Sequence, residues 1–428
     1  MAVGRATEGR VERFRNAVAA AALFTDFEMR YFLGPALTAL LILPSHAQDA
    51  ARGKYLAILG DCAGCHTGTK QPGFSGGLPF VTPFGTIYST NITADRDTGI
   101  GTWSADDFYR ALHDGIAPGG KHLYPAFPYI YFTHFSRKDT DDLFAYLHTL
   151  KPVHRPSTPN KLMFPFNLRF GMIFWNWLYF VKNPSSIPAN ASADWKRGEF
   201  LVNGPGHCAA CHTPKSILFG DEIEKALTGG LVEDWFAPDI SNGAEDGLAK
   251  WSYADVVAFL STGGNRFTTV AGAMKEKITS STSLMQPSDL AAIAVYLKSV
   301  PPHPPPAWEH PRPEQMERGR GIYQAHCESC HAADGLPLDG KYPLLAGNTM
   351  VISRDPTSIA RIILDGGAAP ERAGEPPTHP MPDFGKLDDG QIADVASYIR
   401  NDWGNSAAAV SASDVHALRQ SLARGEGG

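Results

Sequence analysis

The fold class expected from the sequence is all-α, arranged as three tandem domains of one kind. Three observations predict it. All six cysteines fall in three copies of one word: "CAGCH" at Cys62–His66, "CAACH" at Cys208–His212 and "CESCH" at Cys327–His331. Each word follows a related lead-in, "ARGKYLAILGD", "KRGEFLVNGPGH" or "ERGRGIYQAH". Each unit then closes on a segment with apolar residues at helical spacing: "DTDDLFAYLHTL", "QPSDLAAIAVYLKSV" and "DDGQIADVASYIRNDW".

Residues 1–47 read as an N-terminal extension and a secretory signal. Arg30 precedes an apolar stretch, Tyr31 to Leu43, and the small-residue site Ser45-His46-Ala47 follows it, so cleavage is expected after Ala47. Met29 reads as the true start. The apolar stretch is shorter than the roughly 20 residues that a membrane-spanning helix needs.

Residues 48–156 are the first domain. Its Arg-Gly lead-in, followed by an aromatic residue, predicts a short helix delivering the cysteines. "TWSADDFYRALHDG" adds a helix that starts at Trp-Ser. Residues 157–190 are an aromatic linker, whose "FPFNLRFGMIFWNWLYFVK" is the most apolar stretch after the signal. Trp175, Trp177 and Tyr179, flanked by Arg169 and Lys182, suit a membrane interface or a partner protein, or packing across two of the domains.

Residues 191–300 are the second domain, in which "KWSYADVVAFLSTG" matches the Trp-Ser helix of the first. A proline-rich linker, 301–314, should be stiff and extended. Residues 315–404 are the third domain, and 405–428 a tail.

Charge narrows the function. The chain of 428 residues is 43% hydrophobic with a net charge of −6, which disfavours nucleic acid as a partner.

Two cysteines three apart put both thiols on one side of a turn, with an imidazole immediately after. That arrangement suits thioether attachment to haem, the histidine becoming the proximal iron ligand. The candidate residues are Cys62, Cys65 and His66; Cys208, Cys211 and His212; and Cys327, Cys330 and His331, for three covalently bound haem c groups. Zinc sites combine thiolate pairs, whereas each pair here carries its own histidine. A thioredoxin-like redox pair needs an α/β setting.

A second axial ligand is expected in an electron carrier, and methionine opposite histidine raises the potential. "HPMPDFG" offers Met381 in the third domain. "VAGAMKEKI" offers Met274 in the second, with Met285 as the other choice. In the first domain the aligned position is Phe127, in "HLYPAFPY". Its ligand is then His122, His134, Met163 or Met172, or the position is open. No residue pattern marks a substrate-converting site. An open first haem would suit a self-sufficient haem enzyme, of peroxidase or thiosulfate-oxidising type.

Three CxxCH words, "YPAFPY", "FPFN" and "HPMPDF" resemble the triheme cytochrome c subunits of membrane-bound bacterial dehydrogenases for alcohols, gluconate, sorbitol, fructose or aldehydes. The family commonly has methionine in "YPAMPY"; Phe127 departs from this, a variant similar to cytochromes accompanying molybdenum hydroxylase-type dehydrogenases. The resemblance implies an electron-transfer subunit that is not catalytic alone. It also implies a catalytic partner of flavin, PQQ or molybdenum type, and ubiquinone or a terminal oxidase as acceptor. The implied location is periplasmic, peripherally attached to the outer face of the cytoplasmic membrane.

Overall fold

The arginine-glycine pair of each lead-in sets the architecture. In the computed structural model, which describes residues 48–182, 187–244, 246–304, 307–336, 342–367 and 380–425, every lead-in is helical and crosses a later helix at that pair. The expected extension and signal over 1–47, with Met29 and the cleavage after Ala47, lie outside the described residues. So do Pro305 and Pro306 of the proline-rich linker.

The first repeat runs α1 (Ala50–Leu59), α2 (Cys62–His66), α3 (Ala105–Asp114), α4 (Tyr129–Phe132) and α5 (Arg137–Thr149). After α6 (Gly171–Tyr179), the second runs α7 (Ala193–Asn203), α8 (Ala209–His212), α9 (Tyr253–Thr262), α10 (Ala273–Ser280) and α11 (Pro287–Leu297). The third has α12 (Pro313–His326), α13 (Glu328–His331), α14 (Thr357–Asp365) and α15 (Asp389–Asn401), followed by α16 (Ala412–Gly425).

α1 packs on α5, α7 on α11 and α12 on α15. A Cβ at Gly53, Gly198 or Gly319 would sit 1.9, 2.0 or 2.2 Å from a carbonyl oxygen of the opposing helix, so only glycine allows the contact. Beside each glycine, the arginine grips an aspartate of that helix. Arg52 pairs with Asp139 and Asp142, Arg197 with Asp289 at 2.7 Å, and Arg318 with Asp394 at 2.6 Å.

The Trp-Ser starts act as caps. Ser104 and Ser252 each close a capping box, with Asp107 and Asp255 three residues on, which satisfies amides at the start of α3 and α9.

The all-α expectation needs a correction, because short strands occupy the loops. β1 (Pro79–Thr82) and β2 (Gly85–Tyr88) form an antiparallel hairpin in the loop after the first cysteine word. Short β3 (Ile116–Ala117) and β4 (Lys121–His122) pair ahead of α4. β5 (Lys161–Leu162), from the linker, adds a third strand beside β2. In the second repeat β6 (Gly230–Val232) and β7 (Trp235–Ala237) pair across Glu233 and Asp234, both at positive φ, as a tight hairpin turn requires. A long loop that must shield a cavity satisfies its amides by folding back on itself.

Residues 405–428, read as a tail, are not one over their described part. α16 lies against α15 and buries Val415 and Leu418, and Arg419 pairs with Asp389 at 2.6 Å. The first two repeats share one apolar core, with Leu59, Phe135, Leu201, Trp251 and Ala294 in a single cluster. The third repeat has its own, around Tyr323, Val351 and Ile392. Across the first pair, Ser281 Oγ donates to the Ile58 carbonyl at 2.7 Å and Tyr55 OH to Asp289 at 2.7 Å. The third joins the second through Arg354, which pairs with the buried Asp239 at 2.6 Å and Asp246 at 2.7 Å. Among the described residues no helix is long and apolar enough to cross a membrane.

Candidate functional site

α1, α7 and α12 each end just before a cysteine word, which continues as a single short helical turn. The turn puts the two thiols together, and the following loop supplies a carbonyl to the histidine. His66 Nδ1 meets the Thr90 carbonyl at 2.7 Å, His212 Nδ1 that of Pro238 at 2.7 Å, and His331 Nδ1 that of Pro343 at 3.3 Å. A carbonyl only accepts, so Nδ1 carries the proton and Nε2 keeps its lone pair. Burial lowers the pKa of all three imidazoles and favours the neutral form, the one that binds metal. A fixed tautomer with a hydrogen-bonded Nδ1 is the usual support of an iron- or zinc-binding histidine.

The thiols are not built for redox exchange. Burial pushes Cys62 and Cys65 up to about 12, and Cys208 and Cys327 up to about 11, the opposite of a reactive thiolate. None of the six cysteines is in a disulfide. Among the described residues no group of three or more His, Cys, Asp or Glu converges as a metal cluster, so the pairs do not combine into a zinc site.

The first repeat encloses a cavity of about 620 Å³ against Cys62, Cys65 and His66. That is within the range of about 300 to 1,000 Å³ for small-molecule and cofactor sites. Its walls are largely apolar, with Trp103, Phe108, Leu112, Phe132 and Leu143. Two attachment thiols and an oriented imidazole on one wall of an apolar slot are a donor set that fits a covalently held haem.

Phe127 lines this cavity. None of His122, His134, Met163 and Met172 lines it. Met163 is exposed, and His134 Nδ1 is held by the Tyr131 carbonyl at 3.0 Å. An imidazole that sequence reasoning missed is in the wall: His207, from the second repeat, directly before Cys208. Its ring stands 6.0 Å from that of Phe132, and its Nε2 is buried without a hydrogen-bond partner among the described residues. A residue before a cysteine word gives no sign in the sequence that it will face another repeat's cavity.

Met274 sits in the first turn of α10, just after Gly272, whose backbone abuts the Trp235 ring of the hairpin leading to Pro238. Met285 is a core residue, 6% exposed. Met381 is half-buried; its amide donates to the Gly367 carbonyl at 2.7 Å, and it packs against the third core.

The second half of the linker divides in two. Trp175 is buried and donates from Nε1 to the Leu218 carbonyl at 2.9 Å, and Tyr129 OH donates to Asn176 at 2.6 Å. On the other face Ile173, Phe174, Trp177, Leu178 and Val181 are exposed, Trp177 by 75%.

Comparison with known proteins adds the following. The family described as cytochrome c matches residues 316–403. The chain is 37% identical over 390 residues to the alcohol dehydrogenase (quinone) cytochrome c subunit of Gluconacetobacter polyoxogenes, covering 86% of this chain and 83% of the relative. It is 38% identical over 400 residues to the gluconate 2-dehydrogenase cytochrome c subunit of Pantoea cypripedii, covering 87% and 90%. It is also 35% identical over 408 residues to the fructose dehydrogenase cytochrome subunit of Gluconobacter japonicus, covering 88% and 83%.

Proposed function

Because this chain belongs to the family of cytochrome c subunits of alcohol, gluconate and fructose dehydrogenases, we propose that it is a three-haem electron conduit that takes electrons from a partner dehydrogenase. The observation that carries the reading is the threefold recurrence of a CxxCH word whose histidine donates from Nδ1 to a loop carbonyl. In this reading the chain has three tandem cytochrome c domains, 48–156, 191–300 and 315–404.

Each bound haem would supply a one-electron carrier. The protein's own residues do the rest. Cys62 and Cys65, Cys208 and Cys211, and Cys327 and Cys330 tether the group. His66, His212 and His331 would offer Nε2 to the iron, and the Nδ1 hydrogen bond would make that nitrogen a stronger donor. Met274 and Met381 would serve as the second ligands of the second and third haems, a pairing that would raise their potentials. Apolar walls exclude water.

The partner is a flavin, PQQ or molybdenum type of catalytic subunit, and the electrons go to ubiquinone or a terminal oxidase. The exposed apolar face of α6 suits peripheral attachment to the periplasmic membrane surface, with Trp177 at the interface.

The test is the spectrum of the purified protein with a pyridine haemochrome count. Three haems per chain are expected, and two in the Cys327→Ala/Cys330→Ala variant; fewer than three in the parent would sink the reading. With Phe127 in the cavity wall, we expect the sixth position of a bound first haem to be open, and carbon monoxide should then shift the reduced spectrum of one haem. No shift would assign that position to a protein ligand, His207 being the imidazole in the wall.

A further inference from the structure

The linker begins not as a spacer but as a cover. Pro159, Asn160, Leu162, Asn167 and Arg169 all line the cavity of the first repeat. Several contacts hold the segment there. β5 adds to the hairpin, Phe166 packs on Phe84 with ring centroids 4.2 Å apart, and Tyr124 OH donates to the Phe166 carbonyl at 2.9 Å.

Two cations reach the cavity at this end. Arg169 donates from Nη1 to the His122 carbonyl at 2.7 Å, and its guanidinium lies 4.5 Å over the Tyr124 ring. Lys121 lines the same cavity. Neither has an ion-pair partner among the described residues. Burial lowers the pKa of both, and Arg169 lowers that of Lys121 further. Two neighbouring, partly desolvated positive charges facing an apolar slot repel each other unless an anion sits between them. The fork of a guanidinium matches a carboxylate, and a haem carries two carboxylate side chains on the edge opposite its attachment bonds.

We propose that Arg169, with Lys121 beside it, receives the carboxylate side chains of the first haem, so that residues 157–169 form the cover of that site. This rests on the haem reading above. It makes a distinct claim: removing a positive charge here disfavours the electron-rich reduced form of one haem and leaves the other two alone.

The experiment is a potentiometric titration of the holoprotein as Arg169→Gln, Arg169→Lys and Lys121→Gln, with haemochrome counts and resonance Raman spectra of the carboxylate bending bands. Arg169→Gln should lower one potential of three, changing the reduced-to-oxidised ratio of that haem by roughly threefold to tenfold, tenfold being about 59 mV for one electron. Arg169→Lys should keep most of the parent value, and Lys121→Gln should move the same haem less. Unchanged potentials and Raman bands in both Gln variants overturn the proposal, even if stability falls, because Arg169 then only braces the His122 loop. Should Arg169→Gln not fold, the exposed Lys121 decides alone. A parent protein with fewer than three haems would instead overturn the haem reading.

Discussion

Gly53, Gly198 and Gly319 are the residues on which the helix pairs close. Any side chain there meets a backbone carbonyl that cannot move without bending a helix. Gly198→Ala should therefore cost about 1–3 kcal/mol or more, read as a lower denaturant midpoint. Asp289, gripped by Arg197, gives a pH signature. Burial acts to raise its pKa, but the Arg197 and Tyr55 hydrogen bonds outweigh this and hold it below the ordinary 3.8. Its contribution is whole above that value and is lost as pH falls through the lower folded-state value. Asp289→Asn should start less stable and then lose less than the parent on acidification below 3.8, measured by unfolding at a series of pH values. The six cysteines and three histidines were legible as words, because their chemistry is local in the chain. The carbonyls of Thr90, Pro238 and Pro343 were not, since a hydrogen bond to an irregular loop leaves no periodic trace. The Arg-Gly lead-in was visible as a repeat, but its function as a helix crossing needed the opposing helix.

At the scale of elements, α6 shows what an apolar run conceals. The sequence revealed its hydrophobicity and aromatic content, not that one face would hold Trp175 inside while Phe174 and Trp177 faced out. An exposed apolar face carrying Ile173, Phe174, Trp177 and Leu178 marks a contact surface. Phe174→Asp/Trp177→Asp should retain three haems and lose co-sedimentation with phospholipid vesicles; co-sedimentation unchanged from the parent would move the face to a protein contact. The Trp-Ser helix starts were read correctly because a capping box is local chemistry. The hairpins were missed because "PFVTPFGTIY" is short and broken by proline, and its pairing with β5 comes from far along the chain.

The whole molecule is less evenly divided than its three words suggest. The first two repeats share a core, whereas the third keeps its own and leans on the second through Arg354. Repeat order and linker composition gave three separate units along the chain, but the merging of cores depends on which faces meet. Arg354→Ala would leave Asp239 and Asp246 buried without their cation, a loss of about 3–5 kcal/mol for a buried pair. It should separate unfolding of the third repeat from that of the first two, seen as a second transition in calorimetry. The common core also bears on biogenesis. Residues of both halves, such as Leu59 and Leu201, are fully buried in it, so neither half can finish its interior alone. If haem is attached at Cys62 and Cys208, as proposed above, attachment must precede the setting of this joint interior. A chain interrupted at one of these words should stall as a protease-sensitive precursor across both halves, while the third could still mature by itself.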